Sequence, residues 1–196
     1  RPGGMALLGE RPTLGKSVLN TPRMRKRLAS AGIKKVEASQ RLGLMWLKFH
    51  KPRQAGMDQW THARYDASRN AVSRDRVGIP KGVRWLAGPK WPTGNRKASV
   101  LGVTVSEKRL VYVFEDEVLT NQGPAKQKQL VARDAYNGLL LWKRPTSNAV
   151  PAILVHVGDR VFNVLSNNGP LVALDARTGK VIRTYNQAKN PGEVFY

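Results

Sequence analysis

The sequence predicts a mainly β chain, with two four-stranded antiparallel units in its second half behind a small α/β segment. Three observations carry that expectation. An Ala-x-Asp-x-x-x-Gly pattern recurs 41 residues apart, with Ala132, Asp134 and Gly138 falling on Ala173, Asp175 and Gly179. In each copy an apolar strand-like run is followed by a glycine-containing turn and a second run. The first 53 residues follow a different order, strand–helix–strand–strand.

From the front, Arg1–Glu10 reads as a turn feeding a short apolar strand. Asn20–Ala38 reads as a helix and the start of a strand. Asn20 or Thr21 can cap the helix, Pro22 suits its first turn, and Gly32 stops it. Met24, Leu28 and Ala31 share one face at helical spacing. "IKKVEAS" and "LGLMWLKFHKP" then read as two strands turned near Gly43. This order, headed by Arg1-Pro2-Gly3-Gly4 and with Ala31-Gly32-Ile33 at the helix end, resembles the last third of a class I SAM-dependent methyltransferase. There an L-[RK]-P-G-G sequence leads into a strand of the Rossmann-like sheet, and an A-G-[FI] helix end leads into a terminal antiparallel hairpin. The resemblance implies that residues 1–53 are the C-terminal part of such a domain. The family's glycine-rich SAM loop and ribose-binding acid would lie upstream, so no methyl-transfer residue is carried over.

The repeats have a local physical logic. Asp134 and Asp175 can each accept backbone N–H bonds from the turn they open. Asn137-Gly138 and Thr178-Gly179 place glycine where the chain visits positive φ. A lone hairpin is marginal, so these strands need neighbours. "EKRLVYVF" (Glu107–Phe114) is matched upstream by "GDRVFNVL" (Gly158–Leu165). The strands expected are 98–105, 108–114, 129–135 and 139–144, then 151–157, 160–165, 170–175 and 180–185, with "GEVFY" opening a third unit. The polar insert Glu115–Lys128 reads as an exposed loop. A period near 40 built from short strands is a propeller signature.

The pattern Ala-x-Asp-x-x-Asn/Thr-Gly-x-x-x-Trp is similar to the tryptophan-docking repeat of PQQ-like (quinoprotein-type) β-propellers. There the outer-strand Trp packs between adjacent blades, a role that fits Trp142. Arg183 stands at the corresponding place in the second copy and departs from the pattern. Gln59–Ser73, "QWTHARYDASRNAVS", resembles the lead-in segment of such propellers, and "VRWLAG" (Val83–Gly88) reads as an outer strand closing the ring against the last blade. The domain expectation is 1–53 methyltransferase-like, 54–96 linker and lead-in, and 97–196 two blades. The whole resembles fused bacterial methyltransferase/PQQ-like repeat proteins and reads as part of a longer chain.

Composition narrows the functions. The formal charge is +21, from 34 Lys and Arg against 13 Asp and Glu. Residues 1–53 alone carry 13 basic against 2 acidic side chains. Arg23, Arg25, Lys26, Arg27, Lys34 and Lys35 could attract phosphate. No stacking aromatics interleave with that run, so a solvated helix face is preferred to nucleic-acid recognition. There is no cysteine, which excludes disulfides and thiolate metal sites. No apolar run of 18 or more residues exists to span a membrane.

Other motifs reduce to structural readings. "GERPTLGKS" (Gly9–Ser17) places five residues between glycines where a P-loop needs four, and Pro12 removes a donor. His50, His62 and His156 lack metal spacing. Trp46, Trp60, Trp85, Trp91 and Trp142 read as packing and inter-blade residues. Glu115-Asp116-Glu117 reads as a solvated acidic loop. No catalytic or cofactor-binding residue is assigned, and no metal site. The functional expectation is a scaffold that binds a ligand or protein partner through its loops. In a complete ring the resemblance implies PQQ with Ca²⁺ and quinoprotein redox chemistry. The alternatives are a SAM-dependent methyltransferase with its catalytic half upstream, and a basic nucleic-acid-associated protein. The methyltransferase reading implies a cytoplasmic location and the quinoprotein reading a periplasmic one.

Overall fold

The computed structural model describes residues 4–12, 17, 19, 21–52, 55–77, 82–87 and 99–196, with 116–119 described by backbone alone. The chain divides into two compact units, Arg1–Met57 and Asp58–Tyr196. Both are built mainly from antiparallel β-sheet.

The first unit holds β1 (Met5–Glu10), α1 (Pro22–Ser30), β2 (Val36–Arg41) and β3 (Leu44–His50). Its sheet has the order β1-β3-β2, antiparallel at both junctions. Thr21 caps α1, its Oγ1 accepting the Met24 N–H at 3.3 Å. Gly32 at φ +76° then turns the chain out, and the Ile33 N–H donates back to the Leu28 carbonyl at 3.0 Å. Leu28 and Ile33 meet Leu47 and Phe49 of β3 in a small core. On the opposite face the Trp46 ring lies over Gly9, where a Cβ would approach within 2.5 Å.

The second unit contains two four-stranded meanders. The first is β4 (Ser99–Ser106), β5 (Arg109–Thr120), β6 (Gly123–Asp134) and β7 (Leu140–Thr146), in that spatial order. The second is β8 (Val155–Val157), β9 (Arg160–Val164), β10 (Pro170–Asp175) and β11 (Val181–Lys189), again in chain order. Because side chains alternate along a strand, each central strand serves two faces. Val111, Val113, Leu130 and Ala132 turn toward the second sheet, where they meet Leu154, Val161, Val172 and Leu174. Tyr112, Phe114 and Val131 line the other face of the first sheet.

All eight strands expected from the repeat are present, with four differences. Glu115–Lys128 is no loop: β5 and β6 continue through it to the turn at Asn121-Gln122. Residues 151–153 form one 3-10 turn before β8. Val83–Ala87 forms no strand, and neither does Gly192–Tyr196. The final residues instead pack on the second sheet, with the Tyr196 ring 5.6 Å from that of Phe162.

Candidate functional site

The most organised chemistry lies where the two meanders meet each other and residues 58–77. Its first component is a pair of matching turns. Asp134 Oδ1 accepts N–H bonds from Tyr136 at 2.9 Å and Asn137 at 3.3 Å. Asp175 Oδ1 does the same for Arg177 and Thr178, at 2.9 and 2.8 Å. Burial alone would raise the Asp175 pKa. Hydrogen bonds from the Thr178 hydroxyl, the Thr178 N–H and the Arg177 N–H outweigh it, leaving the group below the usual carboxylate value. Each turn ends in glycine at positive φ, +72° at Gly138 and +71° at Gly179.

Both turns receive an indole. Trp142 Nε1 donates to the Ala176 carbonyl at 3.0 Å, and its ring lies 2.7 Å from where a Gly179 Cβ would stand. Trp85 Nε1 donates to the Ala135 carbonyl at 3.0 Å, and its ring lies 2.5 Å from a Cβ at Gly138. A guanidinium braces each turn: Arg144 Nη1 reaches the Gly179 carbonyl at 3.1 Å, and Arg133 Nη1 the Gly138 carbonyl at 2.9 Å. Trp142, on β7 of the first meander, thus packs against the turn of the second. Trp85 reaches the first meander's turn from coil rather than from a strand. Arg183, at the position equivalent to Trp142, turns its guanidinium over the Tyr185 ring at 4.8 Å.

The second component is the segment from Asp58. Trp60 exchanges backbone bonds with Val105 of β4, at 2.8 and 2.6 Å, and the His156 N–H of β8 donates to the Thr61 carbonyl at 2.7 Å. One short stretch thus joins the first strands of both meanders. It is held by Tyr65, which keeps φ +76°, an unusual conformation for a bulky residue. The Tyr65 carbonyl accepts from Thr61 N–H at 2.7 Å and its hydroxyl donates to Asp58 Oδ2 at 2.5 Å. That hydroxyl bond lowers the Asp58 pKa and raises that of Tyr65. Gln59 extends the junction: its Oε1 accepts from Ser106 Oγ at 2.6 Å, and Ser106 Oγ accepts the Gly158 N–H at 3.1 Å. Arg109 pairs with Asp159 at 2.8 Å alongside.

Two histidines are buried here. His62 is 7% exposed, with Nδ1 2.8 Å from Thr61 Oγ1. Burial lowers its pKa, partly offset by Asp66. His156 is fully buried, and among the described residues neither ring nitrogen makes a hydrogen bond of good geometry, the nearest polar group being the Gly158 backbone. Burial, reinforced by the Arg109 guanidinium, pushes its pKa down to about 4. His50 is exposed on β3.

Among the described residues, no three His, Cys, Asp or Glu side chains gather to hold a metal ion. The indoles are committed: Trp142 and Trp85 to turns, Trp46 to Gly9, and Trp60 edge-on to Tyr65 at 5.5 Å. In the P-loop-like stretch, Ser17 Oγ donates to Glu10 Oε2 at 3.1 Å, while Thr13–Lys16 lie outside the described residues. Trp91 and the side chains of Asp116 and Glu117 also lie outside them, and Glu115 pairs with Lys126 at 3.1 Å. An apolar cavity of about 170 Å³ opens between Trp85, Val103, Leu110 and Tyr112, with Arg133 at its edge.

The sequence motifs led to Trp60, Asp134, Gly138, Trp142, Asp175 and Gly179. They did not single out Asp58, Gln59, Ser106 or the Trp85 seat, whose partners lie 7 to 50 residues away. No family model matches the chain, and no curated protein matches it. Among solved structures it is similar to the crystal structure of BamB from Moraxella catarrhalis, at 16% identity and a TM-score of 0.29. That similarity covers 45% of this chain and 37% of that one, and is too slight to carry a fold or function.

Proposed function

We propose that residues 97–196 are two adjacent blades of a PQQ-like β-propeller behind the lead-in segment 54–96, acting as a rigid scaffold that presents loops to a ligand or protein partner. The observation that carries this reading is the repeated seat, Trp85 on Gly138 and Trp142 on Gly179. Unrelated hairpins have no reason to share an indole-to-carbonyl bond, whereas stacked repeats need a joint at each interface. Binding is favoured over catalysis because the polar groups at the junction satisfy one another, Asp58 with Tyr65 and Gln59 with Ser106. The test is the purified chain with added PQQ and Ca²⁺. No quinone-dependent dye reduction with alcohols or aldoses is expected, and turnover would replace the scaffold reading with a redox one.

The first unit supports a second reading. Its strand–helix–strand–strand order, ending in the antiparallel β2–β3 hairpin, fits the C-terminal part of a methyltransferase-like domain. Titrating this chain with SAM in a calorimeter is expected to give no binding heat, because residues 1–53 lack that family's glycine-rich loop. Measurable affinity would overturn this assignment of residues 1–53.

A further inference from the structure

The β2–β3 hairpin of the first unit has an unusual tip. Arg41 pairs with Leu44, leaving a two-residue turn of Leu42 and Gly43. Both hold positive φ, +53° at Leu42 and +72° at Gly43, as a type I′ turn requires. Asparagine, aspartate or glycine is the ordinary choice at the first position, because a bulky side chain is strained there. Leu42 bears that strain and is also 98% exposed. A side chain so placed adds nothing to the core of its own unit.

The tip continues into an apolar face. Side chains alternate along β3, so Leu47 and Phe49 enter the core against α1, whereas Leu44, Trp46, Lys48 and His50 point the other way. The register sets Leu7 beside Lys48 and Met5 beside His50 on that second face. Leu7 and Met5 are 55% and 57% exposed. The Trp46 ring lies over Gly9, between them and the tip. From β2 come Glu37, Ser39 and Arg41.

The charge around this surface is one-sided. Residues 1–53 carry 13 basic and 2 acidic side chains. Both acids are engaged: Glu37 pairs with Lys48 at 3.0 Å, and Glu10 Oε2 accepts from Ser17 Oγ and the Leu19 N–H. Arg41 adjoins Leu42, and Arg11 lies at the same end of the sheet, because it follows Glu10, the partner of Met45. The helix α1 begins at that end, where Leu19 bonds to Glu10, and finishes at the other, where Gly32 lies beside Pro52. Arg23 in its first turn therefore joins Arg11 and Arg41, and all three are exposed. Among the described residues at the tip end, three arginines face one carboxylate, Glu10.

We propose that the Leu42 tip docks on an anionic lipid surface. The leucine enters the headgroup layer with Leu44 and Trp46 behind it, and the three arginines meet the acidic headgroups. An aliphatic tip gains nothing from the phosphates of a nucleic acid, whereas apolar insertion beside cations is how a protein lies on an acidic bilayer. An indole suits the depth of the headgroups. The inference concerns the first unit alone and does not rest on the scaffold reading.

The full chain is sedimented with vesicles of mixed phosphatidylcholine and phosphatidylserine, and with phosphatidylcholine vesicles alone. Binding is expected to the mixed vesicles, weakening as salt rises. Leu42→Asn suits the positive φ, so the hairpin keeps its turn and loses only the apolar tip. It should weaken binding about tenfold or more. Arg41→Ala should weaken it about fivefold. The chain has no cysteine, so Leu42→Cys can carry a single environment-sensitive dye, whose emission should brighten and shift to the blue on the mixed vesicles. No sedimentation with those vesicles, unchanged binding by Leu42→Asn, or a silent dye would overturn the proposal. So would tighter binding to a DNA duplex than to the mixed vesicles, which would give the charge to nucleic acid. A dimer in sedimentation velocity that Leu42→Asn dissolves, without vesicle binding, would give the tip to a second copy of the chain and overturn it too.

Discussion

Gly179 is held at φ +71° with the Trp142 ring 2.7 Å from its missing Cβ, so a side chain there meets both strain and a clash. Gly179→Val is expected to cost about 2–4 kcal/mol in urea unfolding of the second unit. Gly138→Val should cost a similar amount, because Trp85 occupies it in the same way; a harmless Gly138→Val would dissolve the equivalence of the two seats. His156 sets a pH dependence. Unfolded, it takes a proton near its ordinary value of 6.5, whereas folded it resists until about 4. Its contribution to stability is therefore complete above about pH 6.5 and declines as pH falls toward 4, reaching a loss of about 3 kcal/mol. His156→Leu should flatten the urea midpoint across that window, and an unchanged slope would assign the acid sensitivity to other groups. The aspartate-opened turns were readable in sequence because their hydrogen bonds close within four residues. Trp85 was recognised as a packing residue but its seat was not, since its partner Ala135 lies 50 residues away.

At the scale of the element, the β5–β6 ribbon was the main misreading. Its residues 121–128 carry no bulky apolar side chain, so no apolar alternation marks them as strand. Its order comes from cross-strand pairing, which composition does not reveal. Because, among the described residues, 116–120 and 123–127 pair only with each other, replacing residues 116–127 with a short Asn-Gly turn should change the unfolding free energy by less than about 1 kcal/mol. A larger loss would mean that the ribbon supports the sheet. The helix α1 was legible, from Pro22 through its apolar face to Gly32, because caps and breakers are local signals. Thr21→Ala should cost the first unit about 1 kcal/mol, read from its thermal melt. Loss of strand character in Val83–Ala87 has a simple reading: among the described residues it is anchored by one indole bond and pairs with no strand.

For the whole molecule, the division at Met57/Asp58 predicts that residues 58–196 expressed alone keep their β circular dichroism and a cooperative melt. The repeat period foretold the two meanders well because it is a property of the chain as a polymer. How residues 58–62 bind them together was not foretold, since pairing across such distances leaves no periodic trace. That pairing has a consequence during synthesis. Trp60 leaves the ribosome 45 residues before its partner Val105, and Thr61 leaves 95 residues before His156. At roughly 5–20 residues per second the stretch waits on the order of 5–20 s, an unsatisfied edge with an indole on it, before its second strand exists. The nascent chain is thus exposed to wrong pairing before it can close, and slowing translation between Val105 and His156 should lower the soluble yield.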